Sequence, residues 1–154
     1  MGRTLKQQAA SERGAELIEF ALALPLLLVI IMGIFDFGLA FQRYEVITNA
    51  AREGARLGAL YASYCPDDIE SRVDAYVAAA GLPGTADTTV TPTQNIPLAG
   101  GGTITGVSVR VAYDHSFSFV GPIMALIGAN SLGTVTLRAT STMRREGLPA
   151  AGCP

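Results

Sequence analysis

The stretch Arg13-Gly14-Ala15-Glu16-Leu17-Ile18-Glu19-Phe20, running on through Pro25 to Phe35-Asp36, decides how the rest of the chain is read. No charged residue occurs from Phe20 to Phe35. Leu17 to Phe35 comes close to the about 20 apolar residues that a bilayer-crossing helix needs, with Glu19 near one edge and Asp36 at the other. An ionised carboxylate costs about 2.5 to 3.5 kcal/mol at the bilayer centre and less towards its edge. Glu19 therefore needs a reason to be there. Gly14, a small residue just before the apolar run, offers one: a protease could cut on the cytoplasmic side and leave the apolar helix on the mature protein.

Working outward, the N-terminal flank carries Arg3, Lys6 and Arg13 against the single acid Glu12, whereas the other flank mixes Asp36, Arg43 and Glu45. The positive-inside bias puts the N-terminus in the cytoplasm and the chain beyond about residue 40 outside. This divides the chain into a basic cytoplasmic leader (1–14), a transmembrane helix (15–41) and an extracytoplasmic domain (42–154). A removable secretory signal fits less well. Glu16 and Glu19 intrude where the apolar region should begin, the run exceeds the usual 7 to 15 residues, and no clean A-x-A site follows. Pro25 removes one helical hydrogen bond, a defect that membrane helices tolerate.

Composition agrees with a membrane segment carrying one small domain. Only 16% of the 154 residues are charged, against about 25% in an average soluble protein. The net charge of −2, without a basic run on the outer part, leaves no electrostatic footprint for nucleic acid. The two cysteines, Cys65 and Cys153, fall on the same side of the apolar segment. On an extracytoplasmic side they are disulfide candidates, with two free thiols as the alternative.

Beyond the apolar run, helical spacing continues without proline from Phe37 to Tyr64, through Val46, Ile47, Ala50, Ala51, Gly54, Leu57, Gly58, Leu60 and Tyr61. The expectation is one long helix, Leu17 to Tyr64, half in lipid and half in water. Ala50, Gly54, Gly58 and Ala62 form an every-fourth-residue row of small side chains. Such a row either admits a neighbouring helix or seats the helix on its own sheet. A second helix follows, capped by Asp67 with Glu70 three residues on, striped by Ile69, Val73 and Val77, and ended by Gly81 and Pro83. Capping and solvation account for the acids Asp67, Asp68, Glu70 and Asp74, whose spacing is not that of a calcium loop.

The pattern then changes to period two. Thr88–Thr91, Thr103–Tyr113 and Leu132–Met143 read as strands, the second around Val107, Val109 and Val111, with Gly100-Gly101-Gly102 as a turn. Three strands make an antiparallel sheet with one face to bury, and the outer half of the long helix is its natural cover, an α+β arrangement. Phe117–Ile127 is an apolar patch broken by Gly121 and Pro122. It reads as a short helix or loop tucked on the domain, or as an exposed tip meeting a partner or the bilayer surface.

No catalytic or cofactor motif emerges. Asp114, His115 and Ser116 are adjacent on a strand, so their side chains alternate between faces and cannot form a relay. His115 reads as a surface or hydrogen-bonded histidine. With one histidine and no CxxC, zinc lacks a ligand set. Neither a metal, a cofactor nor a small-molecule substrate is expected.

The segment Arg13 to Leu28, with Gly33, Asp36-Phe37-Gly38 and Asn49-Ala50-Ala51-Arg52-Glu53-Gly54-Ala55-Arg56, resembles the TadE-like family of pilin-related proteins, most strongly over residues 13 to 60. The ending Thr140-Ser141-Thr142-Met143-Arg144 looks similar too. The resemblance implies a pilin-like fold and a minor pilin or pseudopilin of a bacterial tight-adherence (Flp) pilus. Such a protein would be inserted in the cytoplasmic membrane and cut after Gly14 by a prepilin peptidase. Its other partners would be pilins, assembly proteins and the lipid bilayer. Ala15 becomes the first mature residue and Glu19 the fifth, the position of the acid characteristic of type IV pilins. Ala15 rather than an aromatic departs from the standard pilin start. An uncleaved single-pass anchor for an envelope or adhesion protein is the competing reading.

Overall fold

The computed structural model describes residues 2–60, 65–126, 128 and 133–146, with side chains of the first helix described from Gly14 onward. Helix α1, Gly2–Leu60, runs for 59 residues and passes through Pro25 without ending. It starts well before Leu17, while Tyr61 to Tyr64 lie outside the described residues. Helix α2 spans Pro66–Ala79 and a short α3 spans Val120–Leu126. Strands β1 (Asp87–Pro97), β2 (Thr103–Ser116) and β3 (Thr134–Arg144) form one antiparallel sheet in the order β1-β2-β3. The fold is thus α+β, a long apolar helix leading into a helix and a three-stranded open sheet.

One face of the sheet lies on the second half of α1. Val107, Val109, Val111, Tyr113 and His115 alternate inward from the central strand β2. Ile47, Ala50, Ala51, Ala55 and Ala59 meet them from α1, and Ile69, Val73 and Val77 from α2. Along α1 the buried positions 36, 40, 47, 50, 54 and 58, with half-buried 43 between, advance by three or four, one stripe of a helix that 51, 55 and 59 widen on one side. Val107 lies by Gly58 and His115 by Arg43, so β2 runs alongside α1 in the opposite direction. The β2 end therefore returns towards the apolar half of α1, and α3 arrives there with it.

Two expectations need correction. The N-cap of helix α2 lies two residues before the expected Asp67: it is Cys65, Pro66 opens the first turn, and the Asp68 carboxylate accepts the Cys65 N–H at 3.0 Å. Proline suits that position because its missing donor would be unpaired there anyway. Strand β1 does not stop at Thr91 but continues to Pro97, across a register shift between Thr91 and Gln94. Pro92 cannot donate to a ladder, and an edge strand with a bulge is where a sheet tolerates that. Of the two readings of His115, the hydrogen-bonded one holds: the residue is 1% exposed and its ring is bonded to Arg43.

Candidate functional site

The most unusual surface is the first half of α1. Every side chain from Ala15 to Phe35 is exposed except those of Met32 and Gly33, which are half-buried. Large apolar groups such as Leu17, Leu22, Leu26 and Ile34 are each about two-thirds bare. A helix apolar on all sides belongs in a core or a membrane, and none of this one is packed inside the protein. At about 1.5 Å per residue, 15–35 spans about 32 Å, close to the about 30 Å hydrocarbon thickness of a bilayer. The helix is long and apolar enough to cross a membrane, and is suggestive of a single-pass anchor near the N-terminus.

The residues flagged in the sequence sit along this helix. Gly14 is half-exposed with open space around it, and Ala15 follows it in unbroken helix. Glu19 is exposed among apolar neighbours, with no ion pair or hydrogen bond among the described residues. Ala50 is fully buried. A side chain at Gly54 would meet Val73 at 2.7 Å and Val109 at 3.2 Å, and one at Gly58 would meet Ile69 at 2.9 Å and Val107 at 3.1 Å. These three members of the small-residue row are thus covered by this chain's own sheet and α2. Ala62 lies outside the described residues, as does Cys153; Cys65 stands at the start of α2.

The exposed sleeve ends abruptly at Asp36, which is fully buried. Its carboxylate accepts three backbone N–H groups: Ser118 at 3.0 Å on Oδ1, and Phe119 at 2.9 Å and Val120 at 2.7 Å on Oδ2. Ser118 and Phe119 lead into α3 and Val120 opens it, so the acid takes up N–H groups at a helix start that would lack intrahelical partners. Asp36 therefore clamps the segment after β2 onto α1 at the point where the bare apolar surface stops.

Two turns further along α1, Arg43 donates to Nδ1 of His115 at 2.6 Å, and its guanidinium lies 5.9 Å from the centre of the Tyr113 ring. A guanidinium has no lone pair to offer, so Nδ1 must accept and the neutral ring carries its proton on Nε2. Burial pushes the His115 pKa down, and the Arg43 charge pushes it the same way, against the opposing pull of Asp36. Nε2 is buried and without a hydrogen-bond partner among the described residues. The ring stands edge-on to Phe117 at 4.9 Å, and Phe117 in turn meets Phe37 at 5.8 Å. Tyr113 donates its hydroxyl proton to the Pro83 carbonyl at 2.7 Å.

Asp114 faces the other side of the sheet, accepting from the Thr136 hydroxyl at 2.6 Å, and Ser116 is exposed. The three consecutive polar residues do not converge. Among the described residues no group of three His, Cys, Asp or Glu side chains could hold a metal ion. What the sequence reading missed is the joining of Asp36, Arg43 and His115. A signal was present: positions 36 and 43, seven apart, share the helix face that carries Ile47, and His115 has the same parity as Val107 to Tyr113.

Residues 14–56 match the family model described as TadE-like protein. The match covers the exposed sleeve, Asp36, Arg43 and the first turns beneath the sheet, and stops before α2. Neither a curated protein nor a solved structure matches the chain.

Proposed function

From the premise that residues 14–56 are TadE-like, we propose that this chain is a non-enzymatic minor pilin or pseudopilin taking part in assembly of a tight-adherence (Flp-type) pilus. It enters the bacterial cytoplasmic membrane with residues 1–14 inside and the α+β domain outside. A prepilin peptidase then cuts after Gly14. The observation that carries this reading is the bare apolar sleeve, 15–35, ending at a domain that begins at Asp36. A subunit stored in lipid and later packed helix to helix needs such a surface, and a secreted globular protein does not.

Cleavage at Gly14 would create a positive amine on Ala15, one helical turn from Glu19. The acid could then neutralise its own terminus or that of a staggered neighbour, and it would penalise registers that leave it unpaired. Glu19→Ala is expected to leave membrane insertion intact or improved while impairing assembly; normal assembly in that variant would refute the register role.

The uncleaved anchor draws support from one feature: α1 is continuous through the 14–15 bond. A peptide bond must leave the helix to enter a protease, although glycine, about 1 kcal/mol poorer than alanine in a helix, eases that unwinding. Mass spectrometry of the mature N-terminus, with and without the peptidase, separates the readings. An N-terminus at Ala15 only when the peptidase is present supports the pilin. An intact 13–15 peptide in both supports the anchor. Recovery of the chain with purified pili would then distinguish a fibre subunit from a component left in the membrane.

A further inference from the structure

We propose that the collar formed by Phe117–Ile123 rests in the interfacial layer of the same bilayer that α1 crosses, with Phe119 as its lipid-facing contact. The inference rests on the membrane reading of α1 given above.

Position is the first argument. The three bonds from Ser118, Phe119 and Val120 to Asp36 fix the start of α3 at the level where the apolar sleeve ends. A sleeve whose length matches the hydrocarbon core leaves the collar at its outer boundary.

Chemistry is the second argument. From Ser116 to Leu137 the sequence contains no Asp, Glu, Lys or Arg. Phe119 is 44% exposed, and Phe37, 68% exposed, touches Phe117, so apolar surface continues from the sleeve onto the collar. A surface continuous with a lipid-immersed helix meets lipid. Asp36 would not oppose this, because N–H groups rather than water solvate its carboxylate. Apolar and aromatic groups at this depth add interfacial binding to that of the span and would fix how the domain sits on the membrane.

The chain contains no tryptophan, which permits single-tryptophan reporters in the full-length protein reconstituted in vesicles. Phe119→Trp places one on the collar and Leu27→Trp one in the sleeve. Leu98→Trp marks the β1–β2 turn at the far end of the sheet, where the native side chain is also half-exposed. Lipids brominated at shallow or deep acyl positions quench by contact. The expected result is a blue-shifted Phe119→Trp emission that loses intensity with shallow bromines, Leu27→Trp quenched by deep ones, and Leu98→Trp quenched by neither. Phe119→Trp behaving like Leu98→Trp while Leu27→Trp is quenched would overturn the collar inference and leave the membrane reading standing. A blue shift at residue 119 without quenching would overturn it in favour of a protein contact, and predominantly deep quenching there would overturn the interfacial placement. An unquenched Leu27→Trp would overturn both readings.

Discussion

Replacing Asp36 by Asn keeps the shape of the side chain and removes its ability to accept on both sides. Of the three bonds, two converge on Oδ2 and one on Oδ1. The best the amide can do is put its oxygen towards Phe119 and Val120, which turns its NH2 against the Ser118 N–H. One charge-assisted bond, worth about 1.5 to 3 kcal/mol, is lost, and the other two become neutral bonds weaker by on the order of 1 kcal/mol each. The sum, roughly 4 kcal/mol, is the loss expected for the clamp between α3 and α1. At about 1.4 kcal/mol per tenfold it corresponds to roughly a thousandfold rise in local opening, unless the unclamped collar finds water first. Hydrogen exchange by mass spectrometry, on the full chain in micelles, reads this directly. Amides of Ser118 to Val120 should exchange far faster in Asp36→Asn, while those of Val109 to Tyr113 in the central strand should not change. Equal protection of residues 118–120 in the variant and the native chain would refute the clamp.

Gly54→Ala should destabilise the domain by about 1 kcal/mol. The new methyl is 2.7 Å from a Val73 methyl, whose branched side chain cannot turn aside in a helix, and overpacking costs about 1 to 3 kcal/mol against about 1 kcal/mol of helix propensity gained. Gly58→Ala should be closer to neutral, because the nearest atom is the mobile Cδ1 of Ile69; thermal melts by circular dichroism rank the two. Stability should also depend on pH through His115. Its folded pKa lies below the ordinary 6.5, so the unfolded chain binds the extra proton first. The contribution is complete above about pH 7 and is lost as pH falls through 6.5 towards the folded value; His115→Gln should flatten that slope in denaturant titrations at stepped pH. We propose that Cys65 and Cys153 pair, so the intact chain should weigh two hydrogens less before reduction than after. Reduction should then cost up to about 4 kcal/mol of stability, as expected for closing so long a loop.

Much of the architecture could be read because each element carries a one-sided pattern. The sheet buries one face, so Val107, Val109 and Val111 advertise it at period two, and α1 buries a stripe beneath it at period 3.6. Where two constraints compete in a single segment the pattern fails. Pro92 speaks against a strand locally, yet the edge position and bulge of β1 accommodate it, and the carbonyl of Pro92 even accepts from Arg145 at 2.8 Å. At the start of α2, Asp67 and Asp68 are both good capping residues, and the choice falls to the one placed three residues after Cys65.

The chain by itself determined that a bilayer-length apolar helix stands ahead of a small α+β domain, because hydrophobicity and its period are local properties of neighbouring residues. It determined equally that Glu19 is the acid isolated in that helix. Folding decided what becomes of the other acid: Asp36 is taken out of contact with solvent by N–H groups more than 80 positions away. The same is true of His115, whose environment depends on an arginine 72 residues earlier. Such sites arise only when β2 turns back along α1, since a buried polar group is defined by the distant partners that satisfy it and not by its neighbours in sequence.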